Sequence, residues 1–208
     1  MLRIYDFKGF PNPARVRIAL AEKGLTDRVE FVTVDVPAGA HRQPDFLAKN
    51  PAGAVPVLEL EDGTTIAECT AITEYLDNLD GKPTLTGCNA KERAVVHMMQ
   101  RRAEATLLDA VATYFHHATP GLGPHIETYQ NREWGERNRD RALAGMGYFD
   151  SLLERQPYLA GDRFSMADIT AFAGLIFADF ARIEIPGQYG HLHAWRARVR
   201  ERPSVSSA

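Results

Sequence analysis

Cysteine is scarce in this chain. Cys69 and Cys88 are the two among 208 residues, and they form no CxxC pair, so neither a disulfide framework nor a zinc site is indicated. A reducing cytoplasm is the compartment expected for such a chain. Basic residues are not in excess either: 24 Lys and Arg stand against 27 Asp and Glu, a net charge of −3. Nucleic-acid binders usually show the opposite balance, so no nucleic-acid partner is expected. No apolar run approaches the roughly 20 residues that span a bilayer, and the opening MLRIYDFKGF lacks the apolar core of a signal peptide. No membrane partner is expected. What remains is 45% hydrophobic and 25% charged, ordinary for a soluble globular protein of one domain or two small ones.

The first part alternates short strands and helices. Leu2 to Tyr5 and Val29 to Val34 read as strands, and FPNPARVRIALAEKG between them reads as a helix. Asn12 is placed to cap that helix, with Pro13 at its first position and Gly24 as its stop. A β-α-β unit of this length predicts a right-handed crossover and a parallel strand pair. Val57, Leu58 and Leu60 form a third strand, and Asp62-Gly63 signals a hairpin into a fourth. Ile72, Tyr75, Leu76 and Leu79 then recur at helical spacing behind Glu68-Cys69.

Pro56 stands at the start of the third strand, where a trans proline fits poorly, so the Val55-Pro56 bond is expected to be cis. That leaves the Val55 backbone free to pair with something extended, beside a helix N-terminus. Such a place suits a small peptide held by its main chain and carboxylate.

After Leu79 the character changes. DGKPTLTGCN, residues 80–89, is rich in turn formers and reads as a linker. Residues 90–208 show no convincing strand. Val96, Met99, Ala103, Leu107, Val111 and Tyr114 make one long helical stripe, broken by TPGLGP at Thr119–Pro124. A second long helix is predicted around Trp134 to Leu153. Ser165 with Asp168 makes a variant capping box, and Phe164 with Ile169 a hydrophobic staple, ahead of a helix apolar almost all round. The expectation is an α/β thioredoxin-like domain over 1–79 followed by an all-α domain over 90–208.

The pattern VPVLE…DG…I-x-E-C-x-x-I-x-x-Y-L, with YLAGD-FS-AD further on, resembles the cytosolic glutathione transferase family over nearly the whole chain. The resemblance implies glutathione as co-substrate, no metal, an apolar electrophile as second substrate, detoxification as the role and a homodimer as the assembly. It implies that Val55, next to cis-Pro56, meets the cysteinyl part of glutathione, and that Glu68 and Cys69 hold the γ-glutamyl end. A basic or amide side chain is expected at the glycyl carboxylate, with His41 preferred to Lys49. Arg42 is expected to be solvated, and Arg15 and Arg17 to make surface ion pairs. Met98, Met99, Arg101 and Arg102 are the expected dimer contacts.

The family's Tyr, Ser or Cys at the start of the first helix is absent. Asp6 to Arg15 contains no serine or cysteine, and Tyr5 lies inside the strand. The segments PARVRIALAEK, LAKN, AECTAITEYLD and FHHATPGLGP resemble an atypical fungal and bacterial branch that also lacks this residue. Lowering a thiol pKa by two units from about 8.5 needs roughly 2.7 kcal/mol. A helix dipole supplies about 0.3–1 kcal/mol, up to ~2 when partly buried, so a further group is required. Asn12 either caps its helix or also contacts the ligand. His116, three residues from Thr113, can accept the thiol proton directly or through a water that Thr113 helps to hold. Alternatively, either His116 or His117 simply bonds a late helix carbonyl. Adjacent histidines diverge on a helix, so they predict no metal site. Phe10, Tyr114, Phe115 and His117 are the expected lining of an apolar electrophile pocket. Two other classes stay open: a non-catalytic ligand-binding relative, and an isomerase or dehalogenase using the same bound thiol.

Overall fold

A computed structural model describes residues 1–206. Its first half is a four-stranded sheet in the order β2-β1-β3-β4, built from Leu2–Asp6 (β1), Val29–Thr33 (β2), Val57–Glu59 (β3) and Thr65–Ala67 (β4). β1 and β2 run parallel, joined through helix α1 (Pro11–Glu22), while β3 and β4 are antiparallel additions. Ile4 stands opposite Phe31 on one side and Leu58 on the other. Ile4 and Leu58 pack with Val16 and Leu20 of α1 and with Ile72 and Leu76 of α3 (Cys69–Asn78). A single turn, α2 (Pro44–Leu47), places Phe46 against Val34 and Val57 on the opposite face. The layout is thioredoxin-like, as the strand and helix order implied.

Helix α1 begins two residues earlier than its capping signals suggest. Pro11 occupies the first turn and Phe10 the N-cap, with no side-chain cap. Proline at this position has a pre-set φ and no N–H to satisfy, so Pro11 rather than Pro13 takes the first helical position. Asn12 is therefore not a cap, and its Oδ1 accepts from Arg15 Nη1 at 3.0 Å instead.

The second half is helical: α4 (Ala90–Ala103), a π-turn at Glu104–Leu108, α5 (Asp109–Ala118), α6 (Arg132–Leu153), α7 (Met166–Phe180), α8 (Gly190–Arg200) and α9 (Pro203–Ser206). The predicted stripe falls on α4, the π-turn and α5, with Val96, Met99, Ala103, Leu107 and Val111 all buried. Met99 thus belongs to the core and not to an exposed dimer face. α7 is the spine, and its capping box forms as predicted. Asp168 accepts from the N–H of Ser165 and Leu159 and from Trp195 Nε1, which satisfies a fully buried carboxylate. Among the described residues, no helix is long and apolar enough to cross a membrane.

The two halves share packing. Ile18 and Ala19 of α1 sit in the same apolar cluster as α7. Residues 80–89 form no helix or strand, yet Leu85 and Thr86 are buried, so this stretch is a packed strap and not a loose tether. Arg15 and Arg17 leave the surface positions expected of them. Arg15 is buried and pairs with Glu104 at 2.7 Å, while Arg17 pairs with buried Asp6 at 2.7 Å and stacks on Phe31.

Candidate functional site

A polar recess of about 180 Å³ opens where β3, α1 and α3 meet the π-turn. Val55, Pro56, Glu68 and Cys69 form one wall, and Asn12, Arg15 and Glu104 the other. The Val55-Pro56 bond is cis, as expected. The preceding loop is fixed by Asn50, whose amide donates to Ala54 O at 2.8 Å while its Oδ1 accepts from Ala52 N. Glu68 is exposed and holds φ +68, a conformation that a non-glycine residue adopts at a cost of order 1–3 kcal/mol. That geometry turns the chain from β4 into α3 and leaves the first N–H groups of α3 at the recess.

Cys69 is buried beneath it. Burial pushes its thiol up to about 11, against the opposing pull of Arg15, and its S–H donates to Asn12 O at 3.4 Å. A thiol in that state is not a nucleophile at neutral pH. Below the recess, Arg15 joins Asn12 to Glu104, Glu104 accepts from Thr70 at 3.2 Å, and Gln100 donates to Thr70 at 2.9 Å. This chain of contacts ties α1 and α3 to the π-turn. It also engages the Asn12 oxygen, which accepts from Arg15 and lies 3.8 Å from the Cys69 thiol, with the amide donors of that side chain as its further hydrogen-bonding capacity.

His41 does not line the recess. It is buried, with Nδ1 unpartnered among the described residues, and desolvation followed by the charge of Arg42 lowers its pKa. Lys49 is taken by Glu59 and lies over the Tyr5 ring. The Tyr5 hydroxyl itself donates to Glu59 at 2.9 Å, so Tyr5 is a packed strand aromatic. Arg42 is not simply solvated, because it donates to Ile126 O at 3.0 Å across the two halves.

An apolar cavity of about 310 Å³ adjoins the recess, and Asn12 and Val55 line both. Phe10, Phe115, Leu122, Ile176, Phe177 and Phe180 supply its walls, with His116 at its edge. Phe10 and Phe115 were expected there. Tyr114 and His117 lie outside it, because neighbours on α5 point to different sides. Tyr114 packs on the helical core, and His117 Nδ1 accepts from Asn131 N–H at 3.1 Å, its ring against Tyr129. Thr113 is also outside: its hydroxyl donates to Asp109 O at 2.8 Å, the back-bond common for threonine inside helices. His116 Nδ1 lies 2.7 Å from Glu127 Oε1.

Sequence reasoning missed Arg15 and Glu104 as recess residues, and Ile176, Phe177 and Phe180 as cavity walls. The last three had a legible signal. α7 is apolar beyond what its core face absorbs, and Phe180 is 71% exposed.

A sheet-and-helix half with a cis-proline recess, backed by a helical half that adds an apolar wall, defines a glutathione-transferase architecture. The comparisons agree. Residues 11–79 match the model of the glutathione S-transferase N-terminal domain, and residues 105–203 that of the C-terminal domain. Glutathione S-transferase 2 of Saccharomyces cerevisiae is 61% identical over 97% of this chain and 87% of its own length. The crystal structure of Gtt2 from Saccharomyces cerevisiae superposes with a TM-score of 0.97 at 60% identity, covering 99% of both chains. Maleylacetoacetate isomerase of Pseudomonas aeruginosa is 31% identical over 81% of this chain and 77% of its own length. The chain belongs to the glutathione S-transferase family, in company with a fungal member.

Proposed function

We propose that this protein transfers the glutathione thiolate to a small apolar electrophile. The observation that carries the reading is the junction of the polar recess and the apolar cavity at Asn12 and Val55. A tripeptide held along the recess presents its sulfur at that junction. The Val55 backbone pairs with the cysteinyl unit, and the Glu68 carboxylate takes the γ-glutamyl ammonium. The Cys69 N–H, at the start of α3, takes the γ-glutamyl carboxylate. His41 remains the proposed partner of the glycyl carboxylate, and binding by that residue requires its ring to turn outward. His116 is the proposed thiol-activating group, with the Asn12 amide as a donor to the sulfur. Thr113 drops out as a water holder, since its hydroxyl is committed to its own helix. Native protein is expected to bind immobilised glutathione and to gain thermal stability from millimolar glutathione; failure of both would sink the reading.

The role of Glu68 gives a sharper test. A charge-assisted hydrogen bond is worth about 1.5–3 kcal/mol, so Glu68→Gln is expected to raise the Kd for glutathione by roughly 10- to 100-fold. The fold is expected to survive, because the Glu68 side chain makes no cap to α3. Calorimetric titration checks this, and an unchanged Kd removes Glu68 from the site.

Family likeness, with Met98 44% exposed on α4, supports a homodimer; two free cysteines support a reducing, cytoplasmic setting. A detoxifying role follows if the electrophile is foreign to the cell. A second reading, isomerisation by the same bound thiol, draws on the likeness to the Pseudomonas isomerase. Turnover with an activated aryl chloride, set against turnover with a cis-enone acid, separates the two.

A further inference from the structure

The TPGLGP break between α5 and α6 does more than end a helix. Glu127, just beyond it, has a side chain only 9% exposed. Its Oε1 receives two contacts, from the Leu122 N–H at 2.8 Å and from His116 Nδ1 at 2.7 Å. The loop is shaped around that oxygen. Gly121 holds φ +56, and a Cβ there would stand 2.2 Å from Glu127 Oε1, so a side chain at this position would expel the carboxylate. The end of α5 is held as well, since Gln130 Nε2 donates to the carbonyls of His116 and Thr119, each at 2.7 Å. Arg42 donates to Ile126 O, and the His125 ring meets Pro37 O at 2.9 Å. The loop is thus anchored on the sheet half that carries the recess.

An ionised carboxylate only accepts hydrogen bonds. Nδ1 of His116 is therefore the protonated nitrogen, and in the neutral ring Nε2 carries the lone pair. We propose that Glu127 is a positioning residue that fixes His116 in the Nδ1–H tautomer, so that Nε2 serves as the acceptor at the cavity edge. This rests on the reading of His116 as the thiol-activating group. The step itself is a proton transfer: the glutathione S–H gives its proton to Nε2, directly or through one water. The imidazolium that forms is stabilised by the carboxylate at Nδ1.

The test uses the full-length protein with glutathione and an activated aryl chloride, together with ring nitrogen-15 spectra. The His116 signal is identified by its loss in His116→Ala. Native protein is expected to show the Nδ1–H tautomer. Glu127→Ala is expected to admit the Nε2–H form and to lower kcat by about tenfold, a part of the ~10²–10⁴ supplied by general acid–base catalysis. KM for glutathione should stay within about twofold, as the recess is untouched. Glu127→Gln keeps an oxygen for both contacts and is expected to recover most of the lost turnover and the native tautomer. In a His116→Ala background, Glu127→Ala should cost no further turnover, since the two act as one unit. A native ring already in the Nε2–H form, or a Glu127→Ala ring unchanged from native, overturns the proposal; so does a further loss in the His116→Ala background. Native turnover in His116→Ala would instead overturn the reading of His116, and the ring spectrum would still decide whether Glu127 sets the tautomer.

Discussion

His116→Ala is expected to lower turnover by about 10²–10⁴-fold, the range for general acid–base catalysis, with little change in the Kd for glutathione. The first-helix loop offers no serine or cysteine. Tyr5 spends its hydroxyl on Glu59, and the Cys69 thiol is buried and pushed up to about 11. The amide donors of Asn12 and the dipole of α1 stabilise an anion but accept no proton, and a helix dipole supplies at most ~2 kcal/mol of the need. His116 is the imidazole at the edge of the cavity that shares Asn12 and Val55 with the recess, whereas His117 is turned to Asn131 and Tyr129. Steady-state kinetics of His116→Ala, His117→Ala and Asn12→Ala decide the matter. Should His117→Ala or Asn12→Ala abolish turnover while His116→Ala does not, the assignment fails and the family membership stands.

What the sequence disclosed about this site depended on whether the information was local. Cis-Pro56, the Asp62-Gly63 hairpin and the Glu68-Cys69 helix entry are short-range signals, and each appears where its neighbours put it. The box at Ser165 and Asp168 is of the same kind. The start of α1 lies two residues from its expected place because two prolines, Pro11 and Pro13, flank Asn12, and both suit a first helical turn. Arg15 and Glu104 were illegible for a different reason. They lie 89 positions apart, and no periodicity announces a pair that forms only when the two halves dock.

The π-turn did leave a trace. Met99, Ala103, Leu107 and Val111 are spaced by fours, wider than the 3.6-residue period, which is how an extra residue in a helix turn looks from its core face. The turn carries Glu104 out to meet Arg15, so that local irregularity and long-range contact are one feature. On α5 the directions of individual side chains, and not their identities, separated Phe115 and His116 from Tyr114 and His117. Spacing gives a face, and only packing says which face meets the cavity.

Asp77→Ala is expected to destabilise the protein by about 3–5 kcal/mol at pH 7, the range for stranding the partners of a buried charge. Asp77 is fully buried in α3. It accepts from the N–H groups of Thr84, Leu85 and Thr86 and from the Thr86 hydroxyl at 2.7 Å, with Lys23 Nζ at 3.2 Å. These contacts hold the 80–89 strap against α1 and α3, and Leu85 in turn accepts from Met166 N–H at the start of α7. Loss of the carboxylate leaves the buried donors of Leu85 and Thr86 unmet, and it loosens the strap on which the two halves are registered. Burial alone would push the carboxyl pKa up, but the donors of Thr84, Thr86 and Leu85 outweigh it and hold the pKa below its ordinary 3.8. The sign follows from that depression. A folded pKa below the unfolded one means that the stability is fully present above the unfolded value and is lost as pH falls through the folded value. Urea titrations of native protein and Asp77→Ala should therefore show a constant gap from pH 7 down to about 5, narrowing only below about pH 4. A gap that widens toward acid, or one below about 1 kcal/mol at neutral pH, would mean that the strap does not depend on this carboxylate.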